Sequence, residues 1–327
     1  MLLPLAVETL LRDRYRILGI VGQGGMGSIY RAEDTRLAGR ICAIKEVQID
    51  PASTPTQQRQ AREQFHREAS VLARLDHPNL PKVSDFFDED NRDFLVMDFV
   101  PGQDLHQMVE AAKADGRFLP HRRVLNWAEQ LCDALGYLHG QDPPVLHRDV
   151  KPSNIKLTPD GLIKLVDFGL VKVMVPDEMR TITIVQGRGS AHYTPIEQYG
   201  ADSTHTDPRS DIYSLGATLY HLFTNTPPAE ARQRFLEPEA LIPVRDLHAD
   251  VSHRVERSIH WAIAMHPNDR PDDIETFRSV LLSTGPLWPL ENVPENNRIS
   301  QTNQIMAAAA LALLFVALLA TALSMGP

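Results

Sequence analysis

A chain of 327 residues has room for about two domains, and its 18 Gly, 24 Pro and 43% hydrophobic residues exclude collagenous, low-complexity and wholly disordered classes. With 33 Lys and Arg against 42 Asp and Glu, the formal charge of -9 argues against a general binder of nucleic-acid backbones. Two cysteines, Cys42 and Cys132, are too few for a disulfide framework and lack metal-ligand spacing, which fits a reducing cytosolic setting.

The opening stretch MLLPLAVETLLRDRY has no basic flank and is interrupted by Pro4 and Glu8, which argues against a cleaved signal peptide. Residues 15–100 are strand-rich, with runs such as ICAIKEV at 41–47 and DFLVMDFV at 93–100. One polar stretch within them, 57–75, reads as a helix. From 124 onward the pattern turns helical, in VLNWAEQLCDALGYLH and SDIYSLGATLYHLF, with short strand-like pieces at NIKL and LIKLVDF. The expected class is therefore α+β, a sheet with one helix followed by a mainly α half. Residues 284–304, with three prolines and many Asn and Gln, read as a linker. Beyond it, Ile305 to Leu323 is 19 residues in which only Thr321 is polar. At 1.5 Å per residue that spans most of a hydrocarbon core of about 30 Å, so 305–323 is expected to be a transmembrane helix rather than a buried core helix. Only Ser324 to Pro327 follow, so no sensor domain is expected beyond it.

Three groups of residues carry chemistry. Val21-Gly22-Gln23-Gly24-Gly25-Met26-Gly27-Ser28-Ile29 holds G-x-G-x-x-G, which alone also occurs in dinucleotide-binding folds. Here strands, not a helix, follow it, so the glycines belong at a hairpin tip where backbone N–H groups can approach phosphates. In ICAIKEV, alternation puts Ala43 and Lys45 on one face, a charged amine among apolar neighbours. The helix at 57–75 aligns Ala61, Phe65, Leu72 and Leu75, and Glu68 falls within that stripe. Lys45 and Glu68 thus predict each other, since either alone would be an unpaired buried charge. Finally, His147-Arg148-Asp149-Val150-Lys151-Pro152-Ser153-Asn154, followed by Asp167-Phe168-Gly169, gathers two carboxylates, an amide and an amine, as needed to hold Mg²⁺ and a polyanion. The 13 histidines show no H-E-x-x-H or Cys/His spacing and read as structural or surface residues.

With these elements in order, the chain resembles the eukaryotic-like, bacterial-type Ser/Thr protein kinases over roughly residues 15–283. The likeness continues through a PIE at 195–197, DIYSLG at 211–216 and Arg270. It implies a bilobed fold with a β-rich N-lobe at 15–97, a hinge at 98–101 and a helical C-lobe at 102–283. It implies ATP with Mg²⁺ (Mn²⁺ as an alternative), protein substrates and no nucleic acid. By the same resemblance Lys45 holds the α- and β-phosphates and pairs with Glu68, while Asp149 orients the substrate hydroxyl and accepts its proton. Lys151 steadies the γ-phosphate, and Asn154 and Asp167 hold the metal. Gly22, Gly24 and Gly27 cover the phosphates; Val21, Ile29 and Ala43 roof the adenine, with Met97 as gatekeeper and Asp98 to Val100 as hinge. Glu197 and Arg270 resemble a buried ion pair that anchors the substrate loop, and Asp211 an acid behind the catalytic loop.

Three departures stand out. Pro195-Ile196-Glu197 replaces A-P-E, Gly189-Ser190 replaces Gly-Thr while keeping a hydroxyl for Asp149 and Lys151, and Lys156 stands where an apolar side chain floors the adenine. The Lys156 stem could pack there while its amine reaches water. Thr181 and Thr183 are expected phosphorylation sites, where an added phosphate would pair with Arg148 and order the loop. The whole implies a membrane-tethered, autophosphorylating signalling enzyme with its kinase domain in the cytoplasm and its C-terminal helix in lipid, and a dimer where autophosphorylation runs in trans. Two other readings remain open: a pseudokinase scaffold, disfavoured because Lys45, Asp149, Asn154 and Asp167 are all present, and a small-molecule kinase of the same fold.

Overall fold

The computed structural model describes residues 3–24, 27–47, 53–167, 190–199 and 207–284. The chain divides into Met1–Ser283 and Thr284–Pro327. The linker beyond Thr284 and the apolar segment 305–323 lie outside the described residues, among which no helix is long and apolar enough to cross a membrane.

The first part of Met1–Ser283 is an antiparallel sheet of β1 (Leu10–Leu11), β2 (Tyr15–Gly24), β3 (Gly27–Asp34), β4 (Ile41–Val47), β5 (Val83–Glu89) and β6 (Arg92–Asp98). Its strand order is β1-β2-β3-β4-β6-β5. Alternation along β4 sorts its two faces: Cys42 and Ile44 join Tyr15, Ile17, Tyr30 and Phe94 in one core, while Ala43 packs toward the main core on the other. Lys45 shares Ala43's side of the strand and is 8% exposed, so its ammonium requires an anion.

Helix α1 (Pro55–Leu72) opens with Pro55 after a reciprocal cap between Thr54 and Gln57, and buries Ala61, Phe65, Ala69 and Leu72. The expected helix at 57–75 thus ends three residues early. The backbone tightens there into 3₁₀-type turns, Arg74 N–H to Val71 and Leu75 N–H to Leu72, and Leu75 is buried from the turn rather than the helix.

Past β6 the chain becomes helical: α2 (Leu105–Ala114), capped by Asp104, α3 (His121–His139) and, after the short hairpin of β7 (Ile155–Leu157) and β8 (Ile163–Leu165), α4 (Pro208–Thr224). The helices α5 (Ala231–Leu236), α6 (Val244–Leu247), α7 (His253–Ala262) and α8 (Ile274–Leu282) complete it. Every residue of α4 from Ser210 to Thr224 is buried, so its polar members, Asp211 and His221 among them, must find internal partners. The link from sheet to helices passes through Gly102 at φ +110, where a Cβ would stand 2.1 Å from the Leu157 carbonyl oxygen. Only glycine fits that close approach of the hinge segment to β7.

Candidate active site

The loop between α3 and β7 is built on Asp211. Its carboxylate, fully buried in the first turn of α4, accepts the backbone N–H of His147 at 2.8 Å and of Arg148 at 2.7 Å. His139 Nε2 lies 3.0 Å away. Burial alone would raise the Asp211 carboxyl, yet the His139 hydrogen bond, the positive fields of His139 and His147 and the loop's N–H groups hold it below the ordinary carboxylate range. Arg148 takes the left-handed conformation at φ 65. The His147 ring is buried, and its Nδ1 accepts the N–H of Asp149 at 3.4 Å.

Asp149 follows at once, with two donors on the same oxygen: Lys151 Nζ at 2.8 Å and Asn154 Nδ2 at 3.0 Å from Oδ2. The Asn154 amide also donates to the Asp149 carbonyl at 2.9 Å, which fixes the loop and turns the nitrogen, not the oxygen, of the amide inward. Lys151 Nζ reaches Ser190 Oγ at 2.7 Å, so the lysine is the bridge between acid and hydroxyl. Both of these side-chain bonds fall on Oδ2 of Asp149.

The Lys45 ammonium is bonded to Asp167 Oδ1 rather than to Glu68. This corrects the expected Lys45 to Glu68 pairing. Glu68 accepts Gln64 Nε2 at 2.7 Å from one turn earlier on α1. Burial raises its carboxyl above the ordinary range, against the pull of that hydrogen bond and of the positive charges of Arg148 and Arg67. The anion that meets the buried ammonium is therefore Asp167, which follows β8 in the left-handed conformation at φ 65. Arg148 in turn already has Glu68 within its field, so it does not depend on a phosphate for a neighbouring anion.

Cross-strand register gathers the remaining cleft residues. Ile29 lies opposite Lys45, and Ala43 opposite Met97, which places all four on one face of the sheet. Gly24 is paired with Gly27 at the hairpin end, and Val21 stands at an irregularity between Ile20 and Gly22. Gly27 has φ +133, and a Cβ there would meet the Glu46 carbonyl oxygen at 2.1 Å. Asp98 ends β6 with its N–H on the Lys82 carbonyl at 3.0 Å, and Val100 is buried. Lys156 of β7 sends its ammonium to the Gly102 carbonyl at 3.3 Å, an exposed contact just beyond the expected hinge.

Below the loop, Arg270 grips Glu197 with two parallel bonds, NH1 to Oε1 at 2.6 Å and NH2 to Oε2 at 2.9 Å. The same guanidinium donates to the carbonyls of Ala264, Met265 and Arg209, and Ser210 Oγ adds a bond to Glu197 Oε1 at 2.8 Å. Although burial raises the Glu197 carboxyl, the hydrogen bonds and charge of Arg270 bring it below its ordinary value. Between Ser190 and Glu197, Tyr193 is anchored on α4 by Ser214 Oγ on its carbonyl at 2.8 Å and by a 2.6 Å contact of its hydroxyl with His221 Nδ1.

Sequence reading left His139 among the structural or surface histidines without placing it on Asp211, and did not bring Tyr193 and His221 together. The first carries a weak signal, a histidine in the last turn of a strongly amphipathic helix; the others lie in segments joined only by folding. Gly25, Met26, Phe168, Gly169, Thr181 and Thr183 lie outside the described residues.

Residues 15–280 match the protein kinase domain family. The chain is 35% identical over 274 residues to a probable serine/threonine-protein kinase PknB of Corynebacterium glutamicum, covering 80% of this chain and 40% of the relative. It is 35% identical over 229 residues to serine/threonine-protein kinase B of a Synechocystis species, covering 67% of this chain and 38% of the relative. The chain thus spans about two fifths of the length of these curated relatives. Among solved structures it is similar to the PpkA-294 apo form, with a TM-score of 0.68 and 26% identity over 85% of this chain and 99% of the other. The PknI kinase domain of Mycobacterium tuberculosis matches with a TM-score of 0.61 and 28% identity over 85% and 98%.

Proposed function

We propose that this chain, which belongs to the protein kinase family, transfers the γ-phosphoryl group of ATP to serine and threonine hydroxyls of proteins. The observation that carries the proposal is the single cluster in which Asp149, Lys151, Asn154 and Ser190 are bonded together, with Lys45 and Asp167 paired in the same lobe-to-lobe site. In this reading the Asp149 carboxylate takes the proton of the acceptor hydroxyl as the hydroxyl oxygen bonds to the γ-phosphorus, and the bond to the β,γ-bridging oxygen breaks to release ADP. Lys151 lies against Asp149 and can follow the transferring phosphoryl charge, while Ser190 keeps Lys151 oriented.

The donors suit Mg²⁺. Asn154 turns its nitrogen to Asp149 and so offers its carbonyl oxygen, and Asp167 offers a carboxylate: hard oxygen ligands, few in number, as this ion takes beside phosphates and water. When bound, the ion neutralises phosphate charge during transfer. Lys45 then has the α- and β-phosphates and Glu68 within its role, and Val21, Gly22, Gly24, Gly27, Ile29, Ala43, Met97, Asp98, Val100 and Lys156 enclose the nucleotide. A phosphate on Thr181 or Thr183 would compete with Glu68 for Arg148 and free Glu68 toward Lys45.

A pseudokinase scaffold is the weaker reading, because every residue that the transfer requires is retained. The apolar run 305–323 supports a membrane tether with the kinase domain on the ATP-containing, cytoplasmic side. Incubation of the purified chain with ATP, Mg²⁺ and a general protein acceptor, followed by phosphoamino-acid analysis, tests the proposal. Phosphoserine and phosphothreonine are expected; absence of ATP-dependent phosphate on protein in the wild type would overturn it.

A further inference from the structure

At the end of α4 far from Asp211, three side chains unused by phosphotransfer come together. His106 and Glu110 are four residues apart on α2 and so share one face of that helix. His221 meets them from the last turn of α4. One ligand-type atom of each lies within 4.8 Å of the other two. His106 and Glu110 are exposed, whereas His221 is buried, and the two imidazole centroids are 6.1 Å apart. Among the described residues the side chains of His106 and Glu110 make no hydrogen bond or ion pair.

The His221 ring is already fixed on its inner side. Its Nδ1 is 2.6 Å from the Tyr193 hydroxyl, which leaves Nε2 as its second polar atom. Metal-bound histidines characteristically have the other ring nitrogen held by an oxygen in this manner, which sets tautomer and ring orientation. Burial, helped by the positive fields of His106, Lys113 and His192, lowers the His221 pKa to about 4. Two imidazoles and one carboxylate are a borderline nitrogen and oxygen set, suited to Zn²⁺ and foreign to Mg²⁺. Tetrahedral ligands about 2.1 Å from Zn²⁺ lie about 3.4 Å from one another, so binding requires the two exposed side chains to rotate and draw atoms now within 4.8 Å closer together. Lys113 is the cation facing the cluster from α2, and Glu110 supplies the opposing charge.

We propose that His106, Glu110 and His221 form a Zn²⁺ site that ties α2 to α4, with the fourth position open to water. Zn²⁺ on Nε2 places the remaining ring proton on Nδ1, which then donates to the Tyr193 hydroxyl. Tyr193 belongs to the stretch that holds Ser190 on Lys151 at one end and Glu197 on Arg270 at the other, so the ion braces the segment beside Asp149. That last consequence rests on the kinase reading; the metal site does not.

The test is metal titration of the full chain, purified in detergent, stripped of metal and kept in excess Mg²⁺ to occupy the oxygen ligands of Asn154 and Asp167. Co²⁺, as a spectroscopic substitute, should give the intense visible absorption of a four-coordinate ion at one equivalent, and Zn²⁺ should displace it. Zn²⁺ should also raise the melting temperature. His106→Ala and Glu110→Gln, both on an exposed face, should each weaken binding at least tenfold, and the double variant should lose both the absorption and the thermal shift while keeping the wild-type circular dichroism. Lack of one-equivalent four-coordinate binding in the wild type would overturn the proposal, as would unchanged affinity in the double variant, since the ion would then sit elsewhere.

Discussion

Replacing Glu197 by alanine should be among the costliest single changes in the helical lobe. The Arg270 side chain is 0% exposed, and without the carboxylate it would face the carbonyls of Ala264, Met265 and Arg209 with no anion to balance its charge. Breaking a buried pair from one side costs about 3–5 kcal/mol. The Ser210 hydroxyl also loses its acceptor, which adds about 1 kcal/mol. At a urea dependence of roughly 3 kcal/mol per M, the unfolding midpoint should fall by about 1.5 M. Replacing Glu197 and Arg270 together by methionine should cost less than Glu197→Ala, because no charge is then left stranded. Fluorescence of the buried Trp127 during urea unfolding reads all three chains. Because Arg270 depresses the Glu197 carboxyl, its stabilisation is complete above the unfolded value of about 4.3 and is lost as pH falls through the lower folded value. The gap between wild type and Glu197→Gln should therefore narrow from pH 6 to pH 3. A Glu197→Ala midpoint within about 0.3 M of wild type, or a double variant worse than the single, would refute the buried-pair reasoning.

Asp167→Asn should weaken Mg²⁺-nucleotide binding more than Asp149→Asn does, since on the proposed assignment only the former loses a charged metal ligand; calorimetry with an ATP analogue in the presence of Mg²⁺ measures this, and equal affinities would count against the assignment. Ser190→Ala removes the 2.7 Å bond to Lys151 and should lower kcat about tenfold, the equivalent of about 1.4 kcal/mol, whereas Ser190→Thr should retain most activity. Truncation after Ser283 should give a soluble, active kinase domain; if the truncated chain still pellets with membranes after a carbonate wash, the anchor does not reside in 305–323.

Local pattern made much of the fold legible. Alternation in ICAIKEV gave the two faces of β4, and the glycines before SIYRAED gave a hairpin because strands follow them. The loop from His147 to Asn154 was legible through the motif it shares with the protein kinases, which sets its acid, amine and amide a few residues apart, but the Asn154 bonds that close it onto Asp149 were not. What depended on competition was not legible. Lys45 could meet either of two carboxylates, and which one it meets follows from the backbone at Asp167 and from Gln64 beside Glu68, neither of which periodicity weighs. The cluster of His106, Glu110 and His221 was hidden for another reason. Two of its members have helical spacing, but the third stands far along the chain in a helix whose burial on all sides conceals which neighbour each residue faces. Leu75 shows the same limit on a smaller scale, since it extends the apolar stripe of α1 although the helix has already ended.

The central claim, that the Asp149 cluster is a phosphotransfer site, is tested most directly by the single-turnover rate of γ-phosphoryl transfer in wild type and Asp149→Asn, with ATP affinity measured on the same samples. The amide oxygen of the variant would still accept the Lys151 bond but could not take the hydroxyl proton, so ATP should bind as before while transfer falls by about 10² to 10⁴. Transfer at a rate close to wild type in Asp149→Asn would contradict the account.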